Sequence, residues 1–189
     1  MLKASRATGL SRRHLLTLLG GAAVAATLSP AMVLAATPRD GARRLTLHNL
    51  HTGEKLTTAY WEKGCYDPDE LQAVAQLCRD FRTGEVHPID CELLDLVHAL
   101  GRKLGRTKPI ELISAYRSPK TNASLAAKSS GVAKRSMHMQ GKAFDIRIPG
   151  VSARHIYNAA LELKGGGAGL YAKSNFVHVD VGRVRHWGG

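Results

Sequence analysis

At 189 residues the chain has length for one ordinary domain and too little for two, and 44% hydrophobic with 22% charged residues describes a globular protein. No low-complexity tract and no repeat of solenoid length is present, which excludes disordered and array architectures. The formal net charge of +12 points to polyanionic surroundings.

The first residues read as an address. Ser11-Arg12-Arg13-His14-Leu15-Leu16 sets a twin arginine just before the apolar stretch Leu15 to Leu28, and Val33-Leu34-Ala35 gives a small-x-small cleavage site before Ala36. Residues 1–35 resemble a twin-arginine export signal, the other reading being a general secretory signal with incidental arginines. Both place the protein outside the cytoplasm, in the periplasm or at the cell wall. Thr17, Thr27 and many small residues make a weak transmembrane span, so no stable membrane insertion is expected after cleavage. The segment holds Lys3, Arg6, Arg12 and Arg13 and no acid, so its removal lowers the charge from +12 to +8. Outside the cytoplasm the nearer polyanions are cell-wall polymers and anionic lipids, and no nucleic-acid partner is expected. A solvated basic surface without a dedicated partner is the alternative.

The rest, residues 36–189, reads as one domain. Arg43 to Trp61 alternates as a β-hairpin with its turn near Thr52-Gly53. Asp67-Pro68-Asp69-Glu70 opens a helix, with Asp as N-cap, Pro at the first position and Glu at the capping-box position. Leu71, Val74, Cys78 and Phe81 then form one apolar stripe. After Pro88 a second helix buries Leu93, Leu94, Val97, Leu100 and Leu104 and ends at Gly105. Cys78 and Cys91 fall on apolar helical positions and read as core thiols. With Cys65 they leave one disulfide and one spare thiol as an open alternative.

Ile110 to Tyr116 reads as a strand ending at Arg117-Ser118-Pro119, and Thr121 to Ser130 as a short helix stopped by Gly131. Ala143 to Ile148 alternates as a strand closed by Pro149-Gly150, and Ser152 caps a helix reaching Lys164. Gly165 to Gly169 reads as a flexible turn into a last strand, Phe176 to Val181. This order predicts an α+β fold, with a mainly antiparallel central sheet flanked by helices.

The chemistry gathers on the last two strands. A side-chain period of two puts Phe144, Ile146 and Ile148 on one face and Asp145 on the other. In Phe176-Val177-His178-Val179-Asp180-Val181 the valines share one face, while Phe176, His178 and Asp180 share the other. If the strands are neighbours, the polar groups converge. Gly141 allows a tight turn that folds His138 back over the strand carrying Asp145. Two imidazoles and one carboxylate suit Zn2+, with a fourth position left for water, as in a catalytic rather than a structural site.

Ser-x-His-x-x-Gly-x-Ala-x-Asp followed by Val-His-Val-Asp resembles the zinc peptidase superfamily that contains lysostaphin, the D-alanyl-D-alanine metallopeptidases and the hedgehog fold. Within it, Leu112 to Trp187 is similar to the murein endopeptidase K family. The shared segments are Ile-Ser-Ala-Tyr-Arg-Ser, Gly-Val-Ala-Lys-Arg-Ser, Ser-Asn-Phe-Val-His-Val-Asp and Val-Arg-His-Trp, and Tyr-x-Pro-x-Glu-Leu extends the likeness over most of the mature chain. The resemblance implies that His138, Asp145 and His178 ligate zinc and that Arg117 contacts the substrate's carboxylate or carbonyl. Several relatives carry a basic Glu or His shortly before the last ligand, where this chain has Asn175 and Phe176. Asp180 is the replacement candidate for general base, its other role being to orient a ligand. Tyr116, Tyr171 and Trp187 are candidate cleft walls, with core packing as the alternative. His48, His51, His87, His98, His155 and His186 read as structural or solvent-facing.

The implied function is a monomeric, zinc-dependent endopeptidase acting on cross-linked stem peptides of peptidoglycan. Two competitors remain: a D,D- or L,D-carboxypeptidase trimming uncross-linked stems, and a non-catalytic zinc-stabilised wall-binding module. Gly165 to Gly169 lacks the ending and context of a phosphate-binding loop, and no Gly-x-Ser-x-Gly elbow is present.

Overall fold

A computed structural model describes residues 41–105, 108–129 and 131–188. The export-signal reading of residues 1–35 lies outside them.

The hairpin forms as read, β1 (Arg43–Asn49) against β2 (Lys55–Glu62). Asn49 shapes its turn, accepting the amides of His51 and Thr52 on its side-chain oxygen. Its Nδ2 donates to Leu77 O at 2.9 Å and so ties the hairpin to the end of the first helix. A two-residue strand, β3 (Cys65–Tyr66), finishes that edge. Helix α1 (Pro68–Leu77) starts where its cap predicts, Asp67 accepting from the amides of Asp69 and Glu70. It ends earlier than the apolar stripe implies. Cys78 is the C-cap, and Phe81 lies beyond the helix, 37% exposed and stacked on His51 at 3.8 Å. Helix α2 (Cys91–Lys103) places Leu93, Leu94, Val97 and Leu100 wholly out of water. Each such burial is worth about 1.5–3 kcal/mol, so this amphipathic face anchors the helix to the core.

Strand β4 (Ile110–Ser114) leads to α3 (Pro119–Lys128), whose cap is Ser118. Ser118-Pro119 repeats the cap-then-proline start of Asp67-Pro68, so the helix begins two residues before the predicted Thr121. Then come β5 (Ala143–Arg147), α4 (Ala153–Leu163), β6 (Gly167–Tyr171), β7 (Phe176–Asp180) and β8 (Arg185–Trp187). One core joins Phe144, Ile146, Val177 and Val179 of the sheet to the buried residues of α1, α2 and α4.

The fold is α+β, and its eight strands run in the order β3-β2-β1-β4-β5-β7-β6-β8. The sheet is mixed, which corrects the expectation of a mainly antiparallel one. β1 and β4 are parallel because the chain between them passes through α1 and α2, a crossover long enough to re-enter in the same direction. β8 is parallel to β6 because it adds to the edge of β6 opposite β7. Gly167 to Gly169, read as part of a turn, opens β6 instead. All three cysteines are free thiols: Cys78 buried, Cys91 half-buried at the start of α2, Cys65 exposed.

Candidate metal centre and its cleft

Register decides what meets on the polar face of the sheet. Asp145 of β5 pairs directly with His178 of β7, Ser114 lies on the far side of Asp145, and Gly169 then Trp187 lie beyond His178. The next row on the same face runs Ala143, Asp180, Gly167, Arg185. Two strand-borne groups of the candidate triad are thus cross-strand neighbours, and an arginine and a tryptophan stand beside them.

His138 comes from a 3-10 turn, Met137–Gln140, started by Ser136, which accepts the His138 amide. Gly141 closes the turn at φ +64°, and a Cβ there would lie 2.1 Å from Pro88 O. Both the backbone angle and the close approach demand glycine. The His138 carbonyl accepts the Arg117 amide at 3.2 Å, which couples this turn to the end of β4.

The inner atoms of the three side chains are close: His178 Nδ1 to Asp145 Oδ1 2.9 Å, His138 Nε2 to His178 Nδ1 3.2 Å, and His138 Nε2 to Asp145 Oδ1 3.3 Å. All three residues are buried. Their outer atoms fix the tautomers. His138 Nδ1–H donates to Ala115 O at 2.7 Å, and His178 Nε2–H donates to Asp180 Oδ2 at 2.9 Å. A carbonyl and a carboxylate can only accept, so in the neutral rings the inward nitrogens carry bare lone pairs. Three acceptors then converge with no donor among them, an arrangement that a cation resolves. Ligands about 2.0–2.1 Å from a tetrahedral ion stand about 3.3–3.4 Å apart, close to the spacing found here. Local charge agrees. Burial raises the Asp145 carboxyl, but the His138 and His178 imidazoles outweigh it and hold the carboxyl below the usual range. Burial likewise opposes charge on His178, and the Asp145 and Asp180 carboxylates on either side of the ring outweigh it by stabilising the charged form, which raises its pKa. The cluster therefore favours positive charge at its centre and can hold a metal ion.

Arg117 stands at the edge of this group. Its Nη2–H donates to Ser114 Oγ at 3.2 Å and its Nη1–H to Asn122 Oδ1 at 3.3 Å, while Nη2 lies 3.9 Å from Asp145 Oδ2. Asp180 sits elsewhere. It is wholly buried behind His178, on the nitrogen that points away from the cluster, and it does not line the cleft. Oδ1 accepts from the amides of Gly182 and Gly167 and from Arg185 Nη1, and Oδ2 accepts from Arg185 Nη2 and His178.

A cleft of about 490 Å³ opens over the cluster. Arg117, Arg135 and Arg185 give it a basic lining, and Tyr171, Phe176 and Trp187 an aromatic one. Tyr171 stacks on Phe176 at 4.4 Å, and Trp187 Nε1–H donates to Tyr171 Oη at 3.2 Å. Tyr171 and Trp187 thus line the cleft, whereas Tyr116 is buried, bonded to Glu85 and stacked on His87. Sequence reasoning missed Arg185. The signal was there, as alternate glycines at 167 and 169 beside a Val-Arg-His-Trp segment mark a strand that leaves room for large neighbours.

Among known proteins the chain is 45% identical over 179 residues to the peptidoglycan L,D-endopeptidase MepK of Escherichia coli K12, covering 94% of this chain and 97% of that one. The Shigella flexneri protein of the same name matches to the same degree. The probable peptidoglycan L,D-endopeptidase MepK of Haemophilus influenzae is 41% identical over 172 residues, 90% of this chain and 92% of its own. No solved structure matches the chain. Residues 37–187, which span every strand and helix described, match the peptidoglycan L,D-endopeptidase MepK family of M15 peptidases, and the chain belongs to that family.

Proposed function

We propose that this protein is an exported, zinc-dependent peptidoglycan endopeptidase that hydrolyses L,D cross-links between stem peptides. The observation that carries the reading is the buried His138–Asp145–His178 group, with two bare imidazole nitrogens and a carboxylate aimed at one point beneath an open basic cleft. The names of the relatives supply the substrate class. The spacing of the donors and the mixed nitrogen and oxygen set suit zinc.

Zinc, when bound, would lower the pKa of a water towards neutrality and polarise a carbonyl. The protein's own groups do the rest. Arg117 is held by Ser114 and Asn122 with its guanidinium at the cleft, placed to donate to a carbonyl oxygen as negative charge develops there. The Tyr171–Phe176–Trp187 wall gives an extended peptide a flat apolar support. Arg135, exposed and without an ion-pair partner among the described residues, offers its charge to the carboxylates of the stems. Asp180 orients His178 and takes no proton from the substrate side, because its oxygens are turned from the cleft and already shared among five donors.

The hedgehog and D-alanyl-D-alanine peptidase architecture, a monomeric state, the twin-arginine route for residues 1–35 and a periplasmic site of action belong to the same proposal. No helix among the described residues is long and apolar enough to cross a membrane. The test is digestion of purified sacculi with and without a chelator, read by liquid chromatography and mass spectrometry. Chelator-sensitive loss of cross-linked dimers, with new ends at an L,D bond, is the expected result. Shortened monomer stems with intact dimers would mark a carboxypeptidase, and no change with zinc-loaded protein a binding module.

A further inference from the structure

The last strand is three residues long, yet two of its side chains bear on the same histidine, Trp187 directly and Arg185 through Asp180. Arg185 lies over Gly167 and grips Asp180 with both arms of its guanidinium, Nη1 to Oδ1 at 2.9 Å and Nη2 to Oδ2 at 2.7 Å. Asp180 in turn fixes the outer nitrogen of His178. Trp187 lies over Gly169, with its ring centroid 5.2 Å from that of His178, and its indole N–H is pinned by Tyr171. Both approaches require glycine beneath. A Cβ on Gly167 would lie 2.4 Å from Arg185 Nη1 and from Asp180 Oδ2, and one on Gly169 would lie 2.3 Å from Trp187 Cε2.

We propose that Arg185 is a positioning residue for the metal centre: acting through Asp180, it holds the His178 ring so that Nδ1 faces His138 Nε2 and Asp145 Oδ1. The inference rests on the metal-binding reading above. Its physical basis is the fork. Without Arg185 the Oδ2 that holds His178 would have no other donor, whereas a planar two-armed donor fixes both carboxylate oxygens in one plane. The Gly182 and Gly167 amides complete that cradle. Trp187 closes the remaining freedom of the imidazole from its side.

The sign of the expected effect separates this role from simple charge. Arg185 lines the cleft, so on Coulomb's law alone its removal would tighten binding of a dication. If it positions His178, its removal weakens binding by about 10–100-fold, the usual scale for groups that orient a ligand. The experiment measures zinc dissociation constants by chelator competition for the full chain and for Arg185→Gln, Arg185→Lys and Arg183→Ala. Melting of each metal-free protein and the visible spectrum of each cobalt-loaded protein are recorded alongside. The expected result is weaker zinc binding and an altered cobalt spectrum in Arg185→Gln, a smaller loss in Arg185→Lys, and no loss in Arg183→Ala. Unchanged or tighter zinc binding in Arg185→Gln overturns the proposal. If that variant does not melt cooperatively, Arg185→Lys decides, because it keeps the charge and loses the fork, and wild-type affinity there overturns the proposal too. Failure of the wild-type chain to bind zinc at all would instead sink the metal reading on which it rests.

Discussion

His178 Nδ1 lies 2.9 Å from Asp145 Oδ1 across a direct β5–β7 pair, so the backbone register itself sets one edge of the candidate metal-binding triangle. The third corner, His138, is brought by a turn that needs glycine at 141. Asp145→Asn keeps the shape of that side chain and removes its charge, while His138→Ala and His178→Ala each remove a nitrogen. Each variant is expected to retain less than one zinc per chain by elemental analysis, and to lose at least about 100-fold in dimer cleavage, a loss of roughly 3 kcal/mol in transition-state stabilisation. Full zinc content in any of them would remove that residue from the ligand set.

The two glycines under β8 give a second prediction. Gly169→Ala places a methyl group 2.3 Å from the Trp187 indole, and strand backbone cannot retreat as a side chain can. Overpacking of this kind costs about 1–3 kcal/mol. The expected outcome is a lower melting temperature together with weaker zinc binding, because the tryptophan that braces His178 is displaced. Gly101→Ala is the contrast. It lies inside α2, no atom stands within 4 Å of the new methyl, and its φ is not positive. That change is expected to stabilise by about 0.5–1 kcal/mol through helix propensity, with zinc affinity unaltered.

Much of this arrangement was legible in the sequence, for reasons that are local. Asp67-Pro68 and the period-two pattern of 143–148 and 176–181 state their structure within a few residues; that pattern puts Asp145 and His178 on one face, while His138 is reached through Gly141 and the motif around it. What stayed hidden depends on partners far along the chain. β8 is too short for alternation to show, and β6 carries glycines that weaken a strand on its own but give room to Arg185 and Trp187 once β8 arrives. The parallel β1–β4 pair is set by a helical crossover, which no local window contains. Asp180 reads from the sequence as a spare carboxylate near the candidate metal centre because the sequence shows its face of the strand but not the arginine that occupies it.

Asp80 supplies a pH prediction away from the candidate metal centre. It is buried, and its Oδ2 accepts from both the amide and the hydroxyl of Ser118, the residue after Arg117, while Oδ1 accepts from the Arg82 amide. Burial would raise this carboxyl, but the Ser118 and Thr121 hydroxyls and the two amides outweigh it and bring it down to about 2. A folded-state value below the unfolded one of about 3.9 means stability that is present above pH 4 and lost as pH falls towards 2. Asp80→Asn is expected to be less stable than wild type in urea unfolding at pH 7, with the difference shrinking as the pH drops from about 4 to 2. A gap that is constant across that window would show that the charge of Asp80 contributes nothing.

Arg117 and Arg135 line the same cleft and are expected to fail in different ways. Arg117 is held rigidly beside Asp145, so it suits contact with charge that develops only during reaction. Arg117→Lys is expected to lower kcat by about 100-fold or more with little change in KM, since a single ammonium cannot replace a fixed fork. Arg135 is exposed and has no ion-pair partner among the described residues, so it suits a carboxylate already charged in the ground state. Such contacts are screened and modest. Arg135→Ala is therefore expected to raise KM about two- to five-fold at unchanged kcat, and added salt should erase the difference. Steady-state kinetics on a cross-linked dimer and on the same dimer with amidated carboxyl groups separates the roles. On the amidated dimer the Arg135→Ala defect should vanish while the Arg117→Lys defect persists. A defect in Arg135→Ala that survives amidation would mean that this arginine shapes the loop rather than meeting the substrate's charge.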